Sequence, residues 1–248
     1  MRSMARSDEA KGLRNVKGER IGVIFDCDGT LLDSAGVWRE VEDELARRAG
    51  ARLTKADTDE LTTLTIPEAG AFFHERFGLG ASAADVVGMI DEFVLEYYRE
   101  RACERPGALA FVRALAERGV AMSVASSSPQ AYLQAGLERA GFLPYLDAVV
   151  SVDDVGKSKR EPAVYDHARA LMGTPLRSTW GFEDSSYAAR TLRAAGYRTM
   201  GVYDSDLAGT YEDLAALCDH VVRGFGELDA DEFVAWSVAP QASSSFPA

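Results

Sequence analysis

The segment IGVIFDCDGT, residues 21–30, is the most informative part of the chain because a short apolar run ends there in two aspartates. Its first five residues form a β-rich apolar run, which predicts a strand buried within a sheet. Side chains two residues apart on an extended chain point the same way, so Asp26 and Asp28 face one site. Gly29 then lets the chain turn sharply. Two carboxylates held together indicate a bound cation.

Five further β-rich segments follow the first one, at residues 120–125, 148–152, 178–182, 198–202 and 220–222. Helical patterns lie between the later segments, and several end in the glycine expected just past a helix. This alternation of strand and helix predicts an α/β, Rossmann-like core with a parallel sheet covered on both faces.

Residues 35–104 interrupt the alternation directly after the first strand, and their pattern is helical throughout. Val37, Val41 and Leu45 mark one helix face. Thr65 and Glu68 fit a capping box at the start of another helix. We therefore expect a small α-helical cap at 35–104, a core formed by 19–34 and 105–236, and disordered tails at 1–18 and 237–248.

Composition limits the classes of partner. The 248 residues include 27 Lys and Arg against 39 Asp and Glu, a formal net charge of −12, which disfavours nucleic acid and anionic membrane surfaces.

No apolar run is long enough to span a bilayer, and the basic, polar N-terminus lacks the apolar region of a signal peptide. Three widely separated cysteines predict a cytoplasmic protein without a disulfide framework. We expect a monomer or a weak homodimer.

Four motifs occur in order along the chain, and with them the sequence resembles the haloacid dehalogenase superfamily. They are Asp26-Cys27-Asp28-Gly29-Thr30, Ser126-Ser127-Ser128, Lys159-Arg160-Glu161-Pro162, and Glu183-Asp184-Ser185. The resemblance implies that Asp26 is the nucleophile and Asp28 the general acid and base, with Thr30 and Asp33 supporting the turn. The chemistry agrees, because a carboxylate can attack phosphorus and a second carboxyl can move the protons.

The resemblance also assigns the remaining site residues. It implies that Ser126 and Ser127 bind the phosphoryl group and that Lys159 neutralises it. Lys157 and Arg160 stay open as alternatives to Lys159. Mg²⁺ would be held by Asp26, the backbone carbonyl of Asp28, and Asp184, with Glu183 either in direct contact or one layer further out. Two positions depart from the family pattern, Ala163 in place of Asp and Ala188 in place of Gly.

The expected function is a Mg²⁺-dependent phosphatase that hydrolyses a small phosphorylated metabolite through an aspartyl-phosphate, with the cap closing to exclude water. The alternative is a sugar phosphomutase of the β-phosphoglucomutase type, but those mutases carry a His ten residues after the acid/base aspartate, where this chain has Trp38. Carbon–halogen hydrolases lack the second aspartate. A third possibility is a binding module without catalytic activity. It is disfavoured because every catalytic position carries a side chain that is capable of the chemistry. Sugar phosphates, phosphoglycolate, glycerol phosphate and nucleotides all remain open as substrates.

Overall fold

The structure is a computed structural model that describes residues 12–15, 18–34, 36–61, 64–204 and 210–239. The chain divides into two compact units. One unit comprises Met1–Asp33 together with Cys103–Ala248, and the other comprises Ser34–Ala102. The second unit is therefore inserted into the chain of the first.

A six-stranded parallel sheet forms the centre of the larger unit. Its strands are β1 Gly22–Phe25, β2 Ala121–Ser126, β3 Ala148–Ser151, β4 Thr179–Glu183, β5 Arg198–Val202 and β6 His220–Val222. The spatial order is β3-β2-β1-β4-β5-β6, so the direction of strand addition reverses between β1 and β4. Ligands bind beyond the carboxyl ends of the strands at such a reversal. The predicted α/β Rossmann-like class is confirmed.

Eleven helices complete the part of the chain that the structure describes. They are α1 Val37–Arg48, α2 Lys55–Leu61, α3 Ile66–Phe77, α4 Ala83–Glu100, α5 Ala108–Glu117, α6 Gln130–Arg139, α7 Val152–Val155, α8 Ala163–Met172, α9 Ser186–Ala195, α10 Tyr211–Leu217 and α11 Ala230–Val238. The first four belong to the smaller unit, and the others to the larger one.

Helices cover both faces of the sheet. On one face, Phe182 of β4 packs against Phe111 of α5 and Phe233 of α11, with ring centroids 6.0 and 5.6 Å away. On the other face, Ile24 of β1 shares a buried cluster with Leu192 of α9. Gly181 permits this close approach, since a β-carbon there would overlap the Leu192 side chain. Burial on both faces explains why the strands are apolar without alternation.

The disordered tails predicted at residues 1–18 and 237–248 are both too long. Near the N-terminus, the backbone N–H of Leu13 donates to the carbonyl of Gly119 at 3.1 Å, and that of Ile21 donates to Leu13 at 3.1 Å. Near the C-terminus, α11 continues to Val238, and Ser237 is buried with its hydroxyl bonded to the Phe233 carbonyl at 2.8 Å. These hydrogen bonds hold segments that their composition predicts to be disordered. Residues 1–11, 16–17 and 240–248 lie outside the described residues.

The smaller unit is helical throughout its described residues. Val37, Val41 and Leu45 are buried along α1. The capping box at α3 is present, with the Thr65 N–H donating to the Glu68 carboxylate at 2.7 Å. Ser82 caps α4 by accepting from the Asp85 N–H at 3.2 Å. Within the described residues, none of the helices combines the length and apolarity needed to cross a membrane.

Candidate active site

Strand register brings three acidic residues together at the carboxyl edge of the sheet. Phe25 pairs with Phe182, and the N–H of Asp26 donates to the Phe182 carbonyl at 2.9 Å, which sets Asp26 beside Glu183. Oxygen atoms of Asp26, Glu183 and Asp184 lie within 4.8 Å of one another, and all three residues are buried. We call these three residues the acidic cluster.

Lys159 supplies the positive charge in contact with the acidic cluster. Its Nζ donates to Asp26 Oδ1 and, at 2.5 Å, to Glu183 Oε1, and the side chain is only 3% exposed. Lys157 is instead exposed and pairs with Glu161, and Arg160 is exposed as well. Of the three cations considered from the sequence, the structure therefore places Lys159 beside the carboxylates.

The acidic cluster has a shortage of positive charge. Burial raises the pKa of the Asp26 carboxyl to about 7, although the Lys159 ammonium opposes the shift. Burial also raises the pKa of Asp184 well above its ordinary value, and the neighbouring carboxylates add to the effect. Burial alone would lower the pKa of Lys159, but Asp26 and Glu183 hold it well above its usual range. One ammonium therefore faces three carboxylates that resist joint ionisation.

The unpaired oxygens of the acidic cluster fit a divalent cation. Among the described residues, Asp26 Oδ2 and Asp184 Oδ2 are buried and have no hydrogen-bond partner. Buried carboxylate oxygens are normally satisfied, and an ion is one way to satisfy them. A donor set made only of oxygen suits a hard cation such as Mg²⁺. The side chain of Asp28 is not part of this cluster.

Asp28 instead contacts a serine in the loop after β2. The hydroxyl of Ser128 donates to Asp28 Oδ2 at 2.6 Å, and the Ser128 N–H donates to Ser126 Oγ at 3.0 Å. Ser126 is buried as the last residue of β2, whereas Ser127 is exposed. Ser128 had no predicted role, and its place in the Ser126–Ser128 run is the one signal of it in the sequence.

Tyr165 is a second residue of the site that had no predicted role. Its hydroxyl donates to Glu183 Oε1 at 2.7 Å, so this oxygen accepts from both Tyr165 and Lys159. Helix α8 begins directly after Pro162, and Tyr165 lies in its first turn. The spacing from Lys159 to Tyr165 was the signal in the sequence. Two donors on one oxygen fix the orientation of the Glu183 carboxylate.

The turn after Asp26 is closed by its own backbone. Leu31 and Leu32 donate their N–H groups to the Cys27 carbonyl at 2.9 and 2.8 Å. Gly29 has φ of +82°, a left-handed conformation that favours glycine. Thr30 is buried, and the Asp33 N–H donates to the Cys103 carbonyl at 3.0 Å. We call residues 26–33 the nucleophile turn.

Replacement of Lys159 tests the charge balance of the site. We expect Lys159→Ala to reduce turnover of a phosphate ester by about 10²- to 10³-fold, because a fixed positive donor beside the reacting group is lost. The same change strands Asp26 and Glu183 without their partner, at a cost of roughly 3–5 kcal/mol of unfolding free energy. Phosphate release and a urea unfolding curve give the two measurements.

Lys157→Ala is the matched control, since it removes the same side chain from an exposed ion pair. Exposed pairs contribute roughly 0–1 kcal/mol, so turnover and unfolding should both stay close to those of the unaltered protein. If Lys159→Ala kept full turnover and Lys157→Ala lost it, the assignment of the two lysines would be reversed.

Comparison with protein families gives one match over most of the chain. The family model of the haloacid dehalogenase-like hydrolases matches residues 22–196. That range begins at β1 and ends just beyond α9, so it includes the nucleophile turn, Lys159 and the acidic cluster.

Individual relatives are distant in sequence. The chain is 26% identical over 179 residues to validoxylamine A 7′-phosphate phosphatase of Streptomyces hygroscopicus subsp. limoneus, covering 72% of this chain and 84% of that protein. It is 25% identical over 184 residues to hexitol phosphatase B of Escherichia coli, covering 73% and 83%. A crystal structure of β-phosphoglucomutase from Clostridium difficile superposes with a TM-score of 0.67 at 17% identity, covering 88% and 97%. At 17% identity, this structural similarity shows a shared fold and nothing more.

Proposed function

This chain belongs to the haloacid dehalogenase-like hydrolase family, and from that membership we propose that it is a Mg²⁺-dependent phosphatase acting on a small phosphomonoester through an aspartyl-phosphate on Asp26. The two phosphatase relatives, which are named for validoxylamine A 7′-phosphate and for hexitols, support a small phosphorylated metabolite as the substrate class.

The observation that carries the proposal is the pairing of Asp26 with Lys159 inside the acidic cluster. One oxygen of Asp26 accepts from Lys159, and the other has no hydrogen-bond partner among the described residues. A nucleophilic carboxylate needs an oxygen lone pair for attack and a neighbouring positive charge for the incoming phosphoryl group; each ionised carboxylate oxygen has two lone pairs, so Asp26 Oδ2 can face a cation and still attack. Asp26 offers both.

The reaction then divides into two displacements at phosphorus. An oxygen of Asp26 attacks, the ester P–O bond breaks, and Asp28 gives its proton to the departing oxygen. Asp28 next takes a proton from water, whose oxygen attacks phosphorus and releases phosphate while Asp26 is regenerated. Lys159 and the Ser126 hydroxyl neutralise and orient the phosphoryl oxygens. The hydrogen bond from Ser128 holds the Asp28 carboxyl in place for both proton transfers.

Asp26, Asp184 and Glu183 would hold the metal ion, together with the backbone carbonyl of Asp28. When bound, Mg²⁺ supplies charge neutralisation for the phosphoryl oxygens. Without a divalent cation, Lys159 alone cannot compensate the carboxylates of the cluster as they ionise, and the uncompensated negative charge repels an anionic substrate. Within this set, Glu183 also holds Lys159 through its Oε1 atom.

Removal of divalent cations tests the metal requirement. We expect phosphate release from para-nitrophenyl phosphate to be lost in excess EDTA and restored by Mg²⁺. Ca²⁺ should inhibit, because it takes more ligands at longer distances and displaces the nucleophile from its working position. Full activity in EDTA would contradict the proposed cofactor, and full activity with Ca²⁺ would contradict the geometric argument.

The acceptor of the phosphoryl group separates a phosphatase from a mutase. By resemblance to the family, the mutase position ten residues after Asp28 carries a His, whereas Trp38 has no group for proton transfer. We therefore expect water to be the acceptor. In a reaction with glucose 1-phosphate and a bisphosphate primer, inorganic phosphate should appear faster than glucose 6-phosphate. Isomerisation much faster than phosphate release would establish the mutase instead.

We make four further proposals. The unit Ser34–Ala102 is proposed to act as the cap that determines substrate choice, and Ser127 to contribute to phosphate binding. The sparse, widely separated cysteines support a cytoplasmic location, and the protein is proposed to be a monomer or a weak homodimer. A panel of phosphate esters, measured under one set of conditions, would identify the preferred substrate.

A further inference from the structure

We propose that Arg105 is a positioning residue that holds the nucleophile turn and, through it, the carboxyl of Asp28. The inference rests on the proposed function, because it assigns to Arg105 a part in the proton transfers made by Asp28. Arg105 precedes α5 in the larger unit and is not one of the residues that the four motifs contain.

The carbonyl of Gly29 is where Arg105 reaches the turn. Arg105 Nη1 donates to this oxygen at 2.9 Å, and the backbone N–H of Arg105 donates to the Leu31 carbonyl at 2.8 Å. Some bonds of the turn are internal, such as that from the Gly29 N–H to the Leu32 carbonyl at 2.9 Å, and at its end the Asp33 N–H donates to the Cys103 carbonyl at 3.0 Å. Arg105 therefore ties the turn to the chain segment that leads into α5.

The guanidinium also contacts the two residues that directly follow β5. Arg105 Nη2 donates to the Tyr203 carbonyl at 3.1 Å, and Nη1 pairs with the carboxylate of Asp204. The side chains of Arg105 and Asp204 are only 13% and 10% exposed, so water screens the pair weakly. A planar guanidinium with three acceptors keeps one orientation, which a flexible ammonium does not.

The effect on Asp28 follows from the backbone at Gly29. Glycine populates left- and right-handed conformations with similar ease, so an unanchored Gly29 peptide can rotate. Asp28 precedes Gly29 directly, and its carboxyl must stay aligned with the Ser128 hydroxyl at 2.6 Å. Misplacement of a catalytic group by about 1 Å can reduce the rate by about 10²-fold. The Arg105 contacts prevent that rotation.

Two esters that differ in their leaving groups separate a positioning role from a general structural one. Phenyl phosphate and para-nitrophenyl phosphate are similar in size, but phenolate needs protonation more than nitrophenolate does. We expect Arg105→Ala to reduce kcat/KM for phenyl phosphate by about 10²-fold, and for para-nitrophenyl phosphate distinctly less. Equal losses for the two esters, or no loss, would overturn the proposal.

Arg118→Ala is the matched control, because Arg118 also pairs with a carboxylate and a carbonyl, those of Asp231 and Ala114. It should leave the ratio of the two kcat/KM values unchanged. Arg105→Lys retains the charge opposite Asp204 but cannot reach all three acceptors, so we expect a loss intermediate between the unaltered protein and Arg105→Ala. This variant also keeps the test decisive if Arg105→Ala fails to fold.

Hydrogen exchange measures how firmly the nucleophile turn is held, and it needs no activity assay. In protein without substrate, the peptide that covers residues 26–33 should exchange faster in Arg105→Ala and Arg105→Lys than in Arg118→Ala. Unchanged exchange would overturn the proposal even if the enzyme is a phosphatase. An unaltered protein that releases no phosphate from either ester would instead refute the proposed function, while the exchange result would still show whether Arg105 holds the turn.

Discussion

We expect Asp26→Asn to abolish phosphate release while leaving the fold intact. An amide cannot attack phosphorus, and it offers no anionic oxygen to a cation. The fold should survive because asparagine has nearly the same shape as aspartate, and Lys159 keeps Glu183 as its partner at 2.5 Å. Asparagine also carries no charge, so it avoids the cost of burying a carboxylate, which raises the pKa of Asp26 to about 7. Steady-state phosphate release and a thermal unfolding curve measure the two properties.

Asp231→Asn provides the control for this result. It makes the same chemical change at an exposed carboxylate that pairs with Arg118. Its turnover should equal that of the unaltered protein. Turnover by a clean preparation of Asp26→Asn would remove Asp26 from the role of nucleophile, whatever its stability.

Asp28→Asn should slow the reaction by about 10²- to 10⁴-fold, which is the usual contribution of a positioned general acid or base. The asparagine carbonyl can still accept from the Ser128 hydroxyl, so the position of the side chain is retained and only the proton transfer is lost. The loss should be larger for phenyl phosphate than for para-nitrophenyl phosphate, as measured by kcat/KM.

The same exposed variant, Asp231→Asn, serves as the reference for both esters. Activity near that of the unaltered protein on phenyl phosphate would show that Asp28 does not transfer the proton. A loss of similar size accompanied by unfolding would show instead that Asp28 is needed for the turn.

The sheet was predictable because each strand is a short apolar run buried on both faces. The prediction for residues 220–222 matches β6, and the first strand differs by one residue at its start. Parallel strands end at one edge, so polar residues at their ends could be expected to meet. The resemblance to the family placed Asp26 and Glu183 in one site, and the structure brings their oxygens close together.

The parts that could not be predicted depend on side-chain direction and on long-range contacts. Composition did not show that Ser237 lies within a helix and is buried. A run of serines does not reveal which hydroxyl reaches Asp28, and the loop conformation after β2 selects Ser128. The resemblance favoured Lys159 over Lys157 through its spacing to Pro162, but the contacts of the two side chains could not be predicted: Lys159 is buried beside the carboxylates, whereas Lys157 lies in an exposed ion pair. The contacts of Arg105 join segments about 75 and 100 residues apart, beyond the reach of a local pattern.

The central claim is that the phosphoryl group is transferred to Asp26, and direct trapping of that group is the most direct test. The Asp28→Asn enzyme should accept the phosphoryl group from para-nitrophenyl phosphate but hydrolyse it slowly, because the base for the second step is missing. Acid quenching followed by borohydride reduction converts an aspartyl-phosphate to homoserine, which peptide mass spectrometry locates. The account predicts homoserine at position 26, and none in Asp26→Asn. Homoserine at another position, or phosphate release without any trapped residue, would contradict it.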